Sequence, residues 1–100
     1  MEIEQEYQKL VNSYNPKTKT SCKDVLRFMV DNSKKKIWWW SWEFVGKSNS
    51  RGGYLSHRAP ARASDLALHT NLVEDRRIGR FKVYRAKMEL IKEINEYLKD

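Results

Sequence analysis

The chain has 100 residues, of which 33% are charged and 40% hydrophobic, and its net charge is +7. This length suits one small domain with a modest core, and it excludes a multidomain enzyme. The longest apolar run, residues 37–40, is far shorter than the roughly 20 residues of a membrane-spanning helix. Because the N-terminus is acidic and Cys22 is the single cysteine, we expect a cytoplasmic protein without a signal peptide or an internal disulfide.

The charge is segregated along the chain. Residues 1–16 carry a net charge of −2, residues 17–87 carry +11, and residues 88–100 carry −2. A strongly basic surface attracts a polyanion, so the middle segment is the part that we expect to bind nucleic acid. Charge alone does not exclude a protein that binds no nucleic acid, because many basic proteins bind none.

Apolar residues at helical spacing predict two helices in the first third of the chain. The first covers residues 2–14 and ends at Asn15, because the residue before a proline is pushed out of the helical region. Its apolar face consists of Ile3, Tyr7, Leu10, Val11 and Tyr14. The second helix, capped by Thr20 or Ser21, ends near Ser33 and includes Cys22 on its apolar face, where the thiol packs as a small hydrophobe.

Residues 37–46 are dense in aromatic side chains. A short extended piece at Trp40 is predicted, followed by a short helix over residues 42–47 capped by Ser41. In an extended segment Trp38 and Trp40 point away from Trp39, so burying all three requires cover on both sides. Two interpretations stay open: the indoles belong to the core, or an exposed indole stacks on a base or on a protein partner.

The second half of the chain changes from helical to strand periodicity and back. Residues 48–53 form a loop, Tyr54 and Leu55 return to the core, and a helix covers residues 59–70. Residues 72–87 then predict a β-hairpin with a two-residue type II′ loop at Gly79 and Arg80. An amphipathic helix over residues 88–98 ends the chain.

This order of elements resembles the winged helix-turn-helix superfamily. The resemblance is carried by the helix at 21–33, the short helix around 41–45, the segment 54–66 and the hairpin at 72–87. It implies an α+β fold, mainly α with a small β-hairpin, in one domain with a winged-helix core at 17–87 and extra helices at 1–16 and 88–100. In that family the helix before the hairpin enters the major groove of DNA, and the hairpin is a wing against the backbone. The long turn at 48–56 and the short wing tip depart from the usual pattern.

The predicted recognition helix has two stripes. Arg58, Arg62, Asp65 and His69 share a polar stripe, whereas a separate stripe of small and apolar residues packs on the domain. Arginine binds guanine through two parallel hydrogen bonds or clamps a phosphate, although an Arg62–Asp65 ion pair on a solvated face is the alternative. In the hairpin Arg77 faces Lys82, an unfavourable like-charge pair that a phosphate would relieve. The candidate DNA-binding residues are Ser56, His57, Arg58, Arg62, His69, Arg76, Arg77, Arg80, Lys82 and Arg85.

Catalytic and metal-binding patterns are lacking in the sequence. Cys22, His57 and His69 do not have the spacing of metal ligands, and there is no phosphate-binding loop. We therefore expect neither an enzyme nor a cofactor, but a small transcriptional or mobile-element regulator that binds double-stranded DNA. A winged-helix protein-interaction module and an RNA or single-strand binder with exposed tryptophans are the alternatives. The amphipathic terminal helices cover each other within one chain or pair across a two-fold axis in a homodimer.

Overall fold

The computed structural model describes residues 2–11 and 16–99, and their side chains except those of residue 11 and residues 16–21. The described elements are, in order, α1 (Ile3–Val11), α2 (Pro16–Asp31), β1 (Trp39–Trp40), a 3₁₀ turn (Ser41–Phe44), α3 (Ala59–His69), β2 (Val73–Ile78), β3 (Phe81–Ala86), a second 3₁₀ turn (Met88–Leu90) and α4 (Ile91–Tyr97). The predicted α+β class is confirmed. Within the described ranges, no helix is long and apolar enough to cross a bilayer.

The second helix begins earlier than its sequence suggests. The prediction that Thr20 or Ser21 caps it is wrong, because both residues lie inside α2, which starts at Pro16. A proline suits the first turn of a helix, since its fixed φ is helical and its missing N–H has no partner there. Tyr14 and Asn15, where the first helix was predicted to end, lie outside the described residues.

The strands form one antiparallel sheet in the order β1-β3-β2. Arg77 pairs with Lys82 and Ile78 with Phe81, which confirms the predicted hairpin register. Gly79 has a φ of +63° and Arg80 a negative φ, as the predicted type II′ loop requires. The pairing of β1 with β3 was not predicted, and it adds a third strand to the hairpin.

One core joins the terminal helices to the central elements. Its fully buried side chains come from α1, α2, the first 3₁₀ turn, α3 and α4, and they include Leu10, Leu26, Phe44, Leu66 and Ile94. The rings of Tyr7 on α1 and Tyr97 on α4 lie 6.0 Å apart between centroids. The described apolar residues of the two ends, Ile3, Tyr7, Leu10, Leu90, Ile94 and Leu98, are therefore buried within a single chain. A homodimer through the terminal helices stays a prediction that this burial does not require.

Candidate nucleic-acid interface

The start of α3 is an exposed, positively charged end. The Ser56 hydroxyl accepts a hydrogen bond from the Arg58 N–H at 3.2 Å, and the Ser56 carbonyl accepts one from the Ala59 N–H at 3.0 Å. These bonds turn the chain into the helix, and Pro60 lies in its first turn. His57 and Arg58 are both exposed at this end, and Ser56 is half-buried.

The inner face of α3 is the small-residue stripe that the sequence predicts. Ala59, Ala63 and Leu66 are buried against the rest of the core, whereas Ala67 is half-buried. The small side chains let α3 pack closely on α2. The side of α3 that faces water is uncharged, with Ala61 exposed and Leu68 exposed to 75%.

Arg62 does not share the environment of Arg58. Its Nη1 lies 3.5 Å from Oδ2 of Asp65, and the two side chains are only 19% and 20% exposed. The Nε of Arg62 is buried without a hydrogen-bond partner among the described residues, and the side chain lines a cleft beside Val25 and Leu55. The ion pair that the sequence offered as an alternative is therefore present. His69, on the same predicted stripe, is half-buried.

The loop before α3 returns only partly to the core. Leu55 is buried as predicted, but Tyr54 is 65% exposed, so the prediction that Tyr54 joins the core is wrong. Tyr54 pairs with Ser48 in an isolated β-bridge that closes the loop, and neighbouring residues of an extended segment point to opposite sides. With Leu55 directed inward, the ring of Tyr54 is left in water near the start of α3.

The five predicted hairpin cations fall into two groups. Lys82 pairs with Asp75, with 2.9 Å between Nζ and Oδ2, and Arg85 pairs with Glu74. Lys82 also faces Arg77 across the strands, so Asp75 relieves part of the predicted like-charge repulsion. Arg76, Arg77 and Arg80 are exposed and form no ion pair with any residue that the structure describes.

The sheet separates these arginines onto two sides. Directly paired residues of antiparallel strands lie on the same face, and the face with Trp39, Val73, Tyr84 and Ala86 belongs to the core. We call this the inner sheet face, and α3 packs on it. Arg77 and Lys82 lie on the same face, closer to the hairpin loop. Arg76 and Arg85 lie on the opposite side, so the structure does not bring all the predicted site residues together.

We call that opposite side the outer sheet face; it consists of Trp38, Trp40, Trp42, Glu74, Arg76, Ile78, Phe81, Val83 and Arg85. The indoles of Trp40 and Trp42 lie parallel, 4.9 Å apart between centroids and inclined by 10°. Phe81 meets Trp42 edge to face at 5.0 Å, and the Arg85 guanidinium lies 4.3 Å above the ring of Trp38. Val83 is buried beneath these groups.

A carboxylate holds the turn that places Trp42 over Trp40. Glu43 Oε1 accepts a hydrogen bond from the Trp40 N–H at 2.9 Å, and Oε2 accepts one from Lys36 Nζ at 2.5 Å. Burial raises the pKa of Glu43, but the hydrogen bonds from Lys36 and Trp40 outweigh it, so the pKa lies below the usual value of 4.5. The prediction that Ser41 caps this turn is wrong, because Ser41 is its first residue and Glu43 satisfies the Trp40 N–H.

Sequence reasoning missed the outer sheet face as a unit. Its signal was the alternation of Trp38, Trp40 and Trp42, but a two-residue strand has too little pattern to identify β3 as its partner. Among the described residues, no three His, Cys, Asp or Glu side chains are grouped so that they could hold a metal ion. Comparison of the chain with protein-family models, curated proteins and solved structures finds no match.

Proposed function

We propose that the chain binds duplex DNA as a winged helix-turn-helix domain, with the start of α3 at the bases and the hairpin at the phosphate backbone. The observation that carries this proposal is the position of Arg77, exposed, without an ion pair among the described residues, and on the face of the sheet on which α3 packs. A cation without an internal partner has no ion pair to lose when it meets a phosphate. Arg80 at the hairpin loop extends the same cationic edge.

The order of the elements supports the same proposal. A helix, a short strand and a turn precede α3, and the hairpin follows it after three residues. Thr70 controls this junction, because its hydroxyl donates to the Leu66 carbonyl at 2.6 Å and accepts from the Leu72 N–H at 3.1 Å. These hydrogen bonds fix the direction of the hairpin relative to the end of α3. Two elements that contact one DNA duplex together need such a fixed relative position.

In this proposal only a few side chains, at the start of α3, contact the bases. Arg58 and His57 are exposed at the start of α3, and Ala61 one turn later is small enough to let the helix approach a groove closely. Arginine is the side chain that most often recognises guanine in the major groove. A role in regulating transcription or a mobile element is proposed only because the sequence resembles the winged helix-turn-helix superfamily.

The test is fluorescence anisotropy with a labelled random-sequence duplex at two salt concentrations. The variant Arg77→Ala/Arg80→Ala is compared with Lys34→Ala/Lys92→Ala, which removes two exposed cations from the α2–α4 end of the molecule. We expect the arginine variant to bind more weakly and to reduce the slope of log affinity against log salt by about 0.9 for each phosphate that is no longer neutralised. Equal affinities for the native chain and the arginine variant would contradict the proposal, as would an equal loss in the lysine variant.

A further inference from the structure

The outer sheet face exposes more aromatic surface than packing explains. Trp42 is 51% and Phe81 48% exposed, although both belong to an ordered aromatic cluster with Trp40. About half of each of these two rings is in contact with water. Contiguous exposed apolar surface on a small domain marks a place where another molecule binds.

The charge around this cluster restricts what that molecule is. Arg76 pairs with Val83, which in turn pairs with Trp40, so a cation lies in the same row across the sheet as the stacked indoles. Arg80 lies in the loop next to Phe81. Arg76 and Arg80 have no ion-pair partner among the described residues. Glu74, on the same face, is paired with Arg85, so it leaves the positive charge of Arg76 without an acidic partner in the part of the chain that the structure describes.

We propose that the outer sheet face binds single-stranded nucleic acid, with unpaired bases stacked on Trp42 and Phe81 and a phosphate at Arg76. A polyanion that also carries flat apolar groups matches both properties of the surface. Duplex DNA does not, because its base faces are covered by neighbouring base pairs. The site lies on the side of the sheet opposite α3 and therefore goes beyond the proposed function.

The stacked pair gives the site a specific spectroscopic signal. Trp40 and Trp42 are two of the four tryptophans of the chain, so a base stacked on Trp42 quenches part of the intrinsic fluorescence. Stacking does not depend on the identity of the base, since every base has a flat face. We expect little discrimination among base sequences and a strong dependence on salt.

The test uses the full chain with two probes of equal length, a labelled oligothymidylate and an abasic oligonucleotide that keeps the phosphates and lacks the bases. We expect the oligothymidylate to bind more tightly and to quench tryptophan fluorescence. Trp42→Ala and Phe81→Ala should each weaken its binding about tenfold. The control Met88→Ala removes a side chain of similar exposure, 48%, from elsewhere on the surface and should leave binding unchanged.

Equal affinity for the two probes would overturn this inference, as would native affinity for oligothymidylate in both aromatic variants. Absence of oligonucleotide binding, with a protein bound through Trp42 instead, would also overturn it. Circular dichroism shows whether a variant that binds weakly is still folded, and Trp42→Phe should recover part of the affinity because it restores a ring. Trp42→Ala is expected to keep native affinity for duplex DNA, so failure of this inference is distinguishable from failure of the proposed function.

Discussion

The Oε1 atom of Glu6, on α1, accepts a 2.8 Å hydrogen bond from the backbone N–H of Asn71, in the turn between α3 and β2. The other oxygen, Oε2, accepts a 2.6 Å hydrogen bond from Lys9 Nζ. The Glu6 side chain is buried, whereas Lys9 reaches it from the surface with its own side chain 55% exposed. The acidic first helix is thereby attached to the point where the chain leaves the proposed recognition helix for the hairpin.

Glu6→Gln should destabilise the protein in a pH-dependent way. The hydrogen bond from Lys9 lowers the pKa of Glu6, burial opposes this, and the Asn71 N–H lowers it further, so the pKa lies below 4.5. A carboxyl group with a lowered pKa in the folded state stabilises the fold above its unfolded pKa, and this contribution is lost as the pH falls through the folded pKa. We expect a loss of about 2 kcal/mol at pH 7 in urea unfolding. Under strongly acidic conditions the difference should vanish.

The control for this prediction is Glu4→Gln, an exposed carboxylate on the same helix. Glu4→Gln should leave the free energy of unfolding nearly unchanged, because the substitution removes no buried interaction. Equal stabilities of the two variants at pH 7 would show that the bond between Glu6 and Asn71 does not brace α1.

Trp39 and Trp42 should differ sharply in their contribution to stability. Trp39 is buried between Phe28 and Phe44, with ring centroids 4.9 Å and 6.4 Å away, whereas Trp42 is half exposed. Trp39→Ala leaves a large cavity and should cost about 3–5 kcal/mol, enough to unfold much of so small a domain. Trp42→Ala should cost far less. Thermal unfolding followed by circular dichroism measures both, and equal midpoints would contradict the assignment of Trp39 to the core.

The hairpin and the inner stripe of α3 were predictable because each depends on local pattern. Gly79 sets the loop, and alternation around it sets the register of Arg77 against Lys82. Arg62 was less predictable, since a helical wheel gives the angle of a side chain and not the depth to which its stem is buried. Arg58 is the N-cap residue of α3 and has helical backbone angles, so the wheel gives its direction, but its exposure depends on its place at the end of the helix.

The missed features depend on contacts between distant parts of the chain. The outer sheet face exists because β1 pairs with β3, far along the sequence, and brings Trp40 beside Val83. The early start of α2 depends on Pro16 being used to begin a helix rather than to end one. Proline is compatible with either role, and the sequence alone does not distinguish them.

Gly53→Ala should disturb the loop before α3. A Cβ atom at this position would overlap Oδ1 of Asp24 and lie 2.7 Å from Nδ2 of Asn49. Buried Asn49 holds the loop, since its Oδ1 accepts from the N–H groups of Arg51 and Gly53, both at 2.9 Å, and its Nδ2 donates to the Asp24 carbonyl at 3.1 Å. We expect a loss of about 1–3 kcal/mol in urea unfolding. Ser50→Ala, an exposed change in the same loop, is the control, and similar losses in both would refute the steric explanation.

Cys22 should be inert in the folded protein. Burial raises the pKa of its thiol to about 12, an effect that Asp65 reinforces and Arg62 opposes. The reactive thiolate is therefore almost absent at pH 8, and the sulfur is also shielded from reagents. A thiol-reactive dye at pH 8 should label the native chain far more slowly than the chain unfolded in urea. Equal labelling rates would place the thiol at the surface.

Arg58→Ala and Arg62→Ala should separate DNA affinity from stability. Arg58 is exposed at the start of α3, so its removal should leave the fold intact and weaken binding to a preferred duplex by about 1–3 kcal/mol. Arg62 is mostly buried and paired with Asp65 over a long 3.5 Å contact, so its removal leaves that carboxylate without this cation and should cost about 1 kcal/mol of stability. Urea unfolding and duplex anisotropy on both variants measure the two effects. A fully stable Arg62→Ala protein with the affinity loss expected of Arg58→Ala would show that Arg62 leaves Asp65 to contact DNA.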